Sequence, residues 1–300
     1  MAFAYHILGH KNPGQIARLI RILQHEDDIF VLHFDRRAPR ALHQLGEELS
    51  RAHRNVVVQR SRAVVWGGPA ISDLQIEGMA LALKHSATWS HFINLTGQDF
   101  PICPRGARLE RLSRQKDASY LSWFAPLETD HWKNARARLE RWHLHGSVLQ
   151  RVLGLPGFGR RLKSALGWQN SIPFVHGYRR RWPDFFRYFG GSNYVVLSRP
   201  AAEYISGDSY ANRIRTWLQR AAHPDEIVFQ SILQNSPLAA TLVNKDWREI
   251  DFPPHSPHPR TFGQKDFNRL IASENLFARK FDEMTDSDIL DMMEKHSESK

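Results

Sequence analysis

One cysteine, Cys103, stands among 300 residues, so no disulfide can close within the chain, and a reducing compartment is expected. No window approaches about 18 uninterrupted apolar residues, which argues against a transmembrane helix. Met1–Gly9 reads straight into a strand, without the basic start, apolar stretch and small-residue cleavage site of a signal peptide. A cytoplasmic location is the expectation. Familiar site signatures are missing too. No Gly-x-Gly-x-x-Gly follows the first strand, no Gly-Lys-Ser/Thr follows a glycine-rich loop, and no Gly-x-Ser-x-Gly elbow occurs. Dinucleotide, P-loop and serine-hydrolase chemistry are therefore poorly supported.

Charge is present in excess but unevenly. Lys133–Arg187 holds twelve Lys/Arg against Glu140 and Asp184, a surplus equal to the +10 of the whole chain. The same stretch is rich in aromatics, among them Trp142, Trp168, Trp182, Phe185, Phe186 and Tyr188. Basic plus aromatic suits an anionic partner, either a membrane headgroup layer or nucleic acid. A solvated basic face over a packed aromatic core explains it as well. Nucleic acid is the least favoured, because the candidate cleft residues lie elsewhere. A membrane role at the inner leaflet would gain about 1 kcal/mol per basic residue near the surface. Retention on anionic vesicles at low salt is its test, and indifference to them would end it.

Strand and helix signals alternate through the first half. Strands are expected at Phe3–Leu8, Ile29–Phe34, Val56–Val58 and His91–Leu95, with helices near Pro13–Gln24, Pro39–Ala52 and Pro69–Lys84. That order predicts an α/β fold with a mostly parallel sheet covered on both faces. Ligands bind at the carboxyl ends of such strands. The rule points to His10, Asp35, Trp66 and Asp99, which should share one crevice. The rhythm fails across the basic stretch and returns with a strand at Tyr194–Leu197.

His223–Gln230 combines Pro224, suited to a first helical position, with Asp225 and Glu226 in the first turn. Free N–H groups there favour a carboxylate, so Glu226 reads as an ionised general base or, more blandly, as a helix start. Asp286-Ser-Asp288 is the one Asp-x-Asp and reads as a cap on the last helix. His255 and His258 near Asp251 offer only a loose metal set. Arg260 and Lys280 carry charge able to offset a diphosphate, or are surface residues.

Taken in order, Tyr5-His-Ile-Leu-Gly-His-Lys11, His33-Phe-Asp-Arg36, Trp66-Gly-Gly68 and Asn94-Leu-Thr-Gly-Gln-Asp-Phe-Pro101 form a series. It continues through Gly191–Arg199, Pro224-Asp-Glu226, His258–Phe262 and Leu276–Phe281. The series resembles the core-2/I-branching β-1,6-N-acetylglucosaminyltransferase and peptide O-xylosyltransferase family, glycosyltransferase family 14, in its short bacterial form. The resemblance spans roughly residues 5–110 and 190–282. It implies a GT-A-like fold, a UDP-sugar donor, inversion at the anomeric carbon and no cofactor or required metal. It implies Glu226 as catalytic base, Asp35 and His10 at the nucleotide, and Arg260 and Lys280 at the diphosphate. Trp66, Asp99 and Ser192 fall in motifs that line the cleft. A single domain over 1–300 is expected, with a nucleotide-sugar-binding half at 1–125 and a catalytic half at 191–300. A basic helical insertion at 126–190 would face the acceptor, a glycan or lipid-linked glycan. Surface-polysaccharide synthesis, with UDP-N-acetylglucosamine ahead of UDP-xylose as donor, is the activity implied.

Overall fold

The structure is a computed structural model. It describes residues 1–65, 67–129, 132, 135–141, 143–144, 172–173, 179–254, 256 and 258–298. Trp66, His255 and most of the basic insertion therefore lie outside the described residues.

Along the chain run β1 (Ala2–Gly9), α1 (Pro13–Leu23), β2 (Ile29–Phe34), α2 (Arg40–Ala52), β3 (Val56–Val58), α3 (Ala70–His85) and β4 (Trp89–Thr96). These match the expected elements to within a residue or two. β5 (Asp99–Pro101), α4 (Arg105–Ser113), β6 (Ser119–Leu121), α5 (Ala135–Glu140), β7 (His143–Leu144) and β8 (Ile172–Pro173) follow. The chain closes with β9 (Val195–Ser198), α6 (Arg199–Gly207), α7 (Ser209–Leu218), α8 (Val228–Gln234), β10 (Leu242–Asn244), β11 (Arg248–Ile250), β12 (Phe277–Arg279), α9 (Phe267–Ile271, before β12) and α10 (Asp288–Glu298).

Seven strands form the central sheet in the order β10-β6-β9-β4-β1-β2-β3. Only β9 runs against its neighbours β4 and β6; the other pairings are parallel. This is the mostly parallel, helix-flanked sheet expected of a GT-A-like fold. The period-2 alternation of β1 explains how the layers separate. Phe3, Tyr5 and Ile7 enter one core with α1, α10 and Phe30. Ala2 and Ala4 face the other core, where α3, α6, α7 and α8 pack. Each fully buried Phe, Ile or Leu contributes about 1.5–3 kcal/mol through its area removed from water.

A second sheet, β11-β12-β5, caps one end of the first. Its strands are three residues each, too short for any periodicity to announce them. β12 runs antiparallel to β5, which sets Arg279 opposite Asp99.

The insertion leaves and returns at one point. Phe124 and Gly190 exchange backbone hydrogen bonds of 2.8 and 3.0 Å. Its described part holds one helix, α5, and the antiparallel pair β7–β8. Phe186 and Tyr188 are buried against Trp217, and Arg180 lies 3.3 Å over the Trp217 ring. Among the described residues, these aromatics build a small core. Arg136, Arg179 and Arg187 stay exposed around it. Next to this junction, a side chain at Gly191 would drive into the Ser122 carbonyl, with a Cβ only 1.9 Å away. The position takes glycine because two backbone segments meet there.

Candidate active site

The carboxyl ends of β1, β2 and β4 open on a cavity of about 660 Å³. A second cavity of about 590 Å³ adjoins it. Asn193, Tyr194, Glu226, Ile250 and Phe252 border both. Glu226 therefore stands at the seam between two chambers.

Besides Glu226, the first chamber holds the sequence candidates His10 and Asp35. Asp35 follows β2 directly and is nearly buried. Burial opposes its charge, but Arg37 grips it with bonds of 3.0 and 2.9 Å, and the N–H groups of Arg37 and Val64 add 2.7 and 2.8 Å. Those bonds win, and Asp35 is held well below the usual carboxylate range. His10 lies exposed at the mouth, acted on by the charges of Lys11, Arg279 and Lys280.

Asp99 sits beneath the chamber, fully buried, and does not line it. It accepts from Thr96 N–H and pairs with Arg279 at 3.5 Å. It thus serves the site through Arg279, whose guanidinium does line the chamber. Arg279 and Arg248 lie 5.8 and 5.3 Å from the Tyr194 ring; Arg279 lines the chamber, and Arg248 is buried behind it. No sequence motif singled out Arg279 over its neighbour Lys280. Only the β5–β12 register does so.

Arg260 is not among the residues bordering either chamber. Its guanidinium is bonded to Asp251 at 2.6 Å and to Asp266 at 2.6 and 2.8 Å. Lys280 is half-buried and is not among the residues bordering either chamber, and its carbonyl accepts from Phe262 N–H at 2.8 Å. Ser192 borders the second chamber, where Trp123, Phe124 and Trp132 supply aromatic wall. Its hydroxyl accepts from Tyr194 N–H at 3.2 Å. Asp286 accepts from Ile289 N–H at 3.1 Å, as a cap on α10 would. Trp66 and His255 fall outside the described residues.

The Pro224-Asp-Glu stretch differs from the sequence expectation. Pro224–Glu226 is a single 3-10 turn, separated from α8 by Ile227. His223 enters it at φ 49°, a left-handed conformation that costs roughly 1 kcal/mol and aims the turn at the chamber. Glu226 makes no capping bond to the helix, so the dipole argument for its ionisation does not apply. Burial instead raises its pKa, and the Arg138 guanidinium at 2.9 Å partly opposes that. Asp225 is 6% exposed, and burial together with the charge of Glu226 pushes it up to about 7. Asn193 donates to its Oδ2 across a long 3.4 Å, and among the described residues its Oδ1 has no hydrogen-bond partner. Asp225 was read from the sequence only as a first-turn carboxylate, and Arg138 did not stand out at all. Arg138 is one arginine among many in the basic stretch.

One chamber is thus lined by cations and a gripped carboxylate, the other by aromatic rings, and a carboxylate stands between them. The Core-2/I-Branching enzyme family matches residues 3–277. The chain belongs to that family. Mouse xylosyltransferase 1 is 25% identical over 94% of this chain and 29% of its own length. Mouse xylosyltransferase 2 is 26% identical over 98% and 33%. Human xylosyltransferase 1 is 25% identical over 93% and 28%. The chain spans about a third of the length of these relatives.

Proposed function

We propose that the chain transfers a sugar from a UDP-sugar to a glycan hydroxyl with inversion, using Glu226 as base and no divalent cation. The observation that supports this most is the place of Glu226 on the seam. UDP would occupy the first chamber, with Asp35 and His10 near the nucleoside and Arg279 and Lys280 near the diphosphate. The acceptor would enter the second chamber, where sugar rings can lie against Trp123 and Trp132. The acceptor oxygen attacks C1, its proton passes to Glu226, and the C1–O bond to the β-phosphate breaks. The electron pair leaves on UDP, where fixed cations stabilise it. Arg260, clasped by two aspartates, would act on the diphosphate only if that clasp opened.

The motifs favour UDP-N-acetylglucosamine, and the names of the relatives favour UDP-xylose. A bacterial role in surface glycan synthesis, in the cytoplasm and against an anionic inner leaflet, remains part of the proposal. Arg136, Arg179 and Arg187 are exposed but already paired with Glu140 and Glu128, so that last contact rests on the surplus of basic residues in the sequence. Among the described residues, no helix is long and apolar enough to cross a membrane.

Titration calorimetry with UDP and both UDP-sugars, with and without excess EDTA, tests the reading. Binding should survive EDTA; collapse on chelation would require a metal site. Arg279→Gln and Lys280→Ala should each weaken UDP by about 10–150-fold, the loss of a charge-assisted contact of about 1.5–3 kcal/mol. Unchanged affinity in both variants would empty the diphosphate assignment.

A further inference from the structure

Arg138 belongs to the insertion, yet it reaches the centre of the site. Its guanidinium donates to Oε2 of Glu226 at 2.9 Å and lies 4.3 Å over the ring of Trp132. Trp132 meets Phe124 edge to face at 4.9 Å and fills the space beside Gly190. The carbonyl of Arg138 accepts from Ala222 N–H at 3.0 Å, two residues before the Pro224 turn begins. Helix α5 is thus fixed to the aromatic wall on one side and to the approach of the carboxylate turn on the other.

We propose that Arg138 is the positioning residue for the base, clamping Oε2 of Glu226 and leaving Oε1 to meet the acceptor hydroxyl. This rests on the reading of Glu226 as base. The consequence is that the insertion controls the base as well as the acceptor wall. When α5 is seated, a planar donor fixes the carboxylate and stabilises its charge against burial. When α5 lifts, Glu226 loses both its orientation and the cation that opposes its protonation. The other charged or titratable groups around it are Asp225 and His223 of its own turn, with His10, His33, Asp35, Arg37, His258 and Arg279 lining the first chamber. Among the described residues, Arg138 makes the ion pair to Glu226.

The sign of the effect follows. A base must be ionised to work, so activity falls as pH drops through its pKa. Removing a neighbouring cation raises that pKa, and the acid limb of the rate profile moves to higher pH. The test uses the full chain, labelled with ¹³C at glutamate carboxyls, with the Glu226 signal identified by its loss in Glu226→Gln. Arg138→Gln should raise the Glu226 titration by about one pH unit or more. The acid limb of UDP release from the UDP-sugar should move by the same amount, with UDP affinity within about twofold as the check on folding. Arg138→Lys keeps the charge and should restore most of the titration, while losing part of the rate because its point charge orients less well.

An unmoved titration in Arg138→Gln, or a rate that falls equally at every pH, overturns the proposal. Activity that persists in Glu226→Gln would instead remove the base assignment, and the carboxyl titration would still decide the ion pair.

Discussion

Glu226→Gln is expected to reduce sugar transfer by about 10²–10⁴-fold, the usual worth of a positioned general base, while leaving UDP affinity unchanged. Glutamine keeps the shape of the side chain and its place on the seam between the two chambers, but it cannot accept the acceptor proton. Release of UDP from the UDP-sugar reads the first effect, and calorimetry with UDP reads the second. Because burial raises the pKa of Glu226, the acid limb of the wild-type profile should lie above the usual glutamate value of about 4.3. Activity should be lost as pH falls through that limb. Substantial residual transfer in Glu226→Gln would return this residue to a structural role and leave Asp225 as the carboxylate to test.

The second large effect concerns Asp225 itself, and it is one of stability. Its folded pKa of about 7 lies well above an ordinary aspartate near 3.9. Between those values the folded chain holds a proton that the unfolded chain has released, so stability falls as pH rises. The destabilisation is absent below about pH 4 and complete above about pH 7. Three pH units correspond to at most about 4 kcal/mol. Asp225→Asn removes the ionisable group, so the variant should melt several degrees above wild type at pH 8 and should lose that advantage near pH 4. Since the charge of Glu226 contributes to the shift, Glu226→Gln should flatten the wild-type slope. A slope that is the same in wild type and Asp225→Asn would place the pH dependence elsewhere. Stability given up at a site lined for chemistry is a common arrangement.

The parallel half of the fold was legible because each element carries a strong local signal. Ile16, Leu19, Ile20 and Leu23 recur at helical spacing and are all buried on α1. Ile29–Phe34 is an unbroken run and forms a strand buried along its whole length. The strands β6, β10 and β11 carry no such signal. They are three residues long, and only long-range pairing makes them strands. The site follows the same division. His10 and Asp35 were legible because they directly follow strong strands. Asp99 also follows one, but β5 folds back beneath the crevice, so it holds Arg279 and leaves the wall to it. Arg138 and Arg279 depend on tertiary pairing across more than 80 residues, which no local pattern encodes. The direction in which the Glu226 carboxyl is shifted is not legible for a related reason. The helix-start argument considers only the local backbone, whereas burial by distant segments decides the carboxyl.

The Phe124–Gly190 bridge has a consequence for how this enzyme can change. Closing a chain segment costs entropy that grows only with the logarithm of its length, so a doubling adds about 0.6 kcal/mol. A segment whose two ends are already tied at one backbone pair can be lengthened, shortened or exchanged without moving β6 or β9. Trp132 and Arg138 lie within that closed segment, whereas Trp123, Asp35, Arg279 and the Pro224 turn lie outside it. On the proposed assignment of the aromatic wall to the acceptor, the side of it that Trp132 supplies can drift among descendants of this chain at small thermodynamic cost, provided each new segment returns an arginine to Glu226.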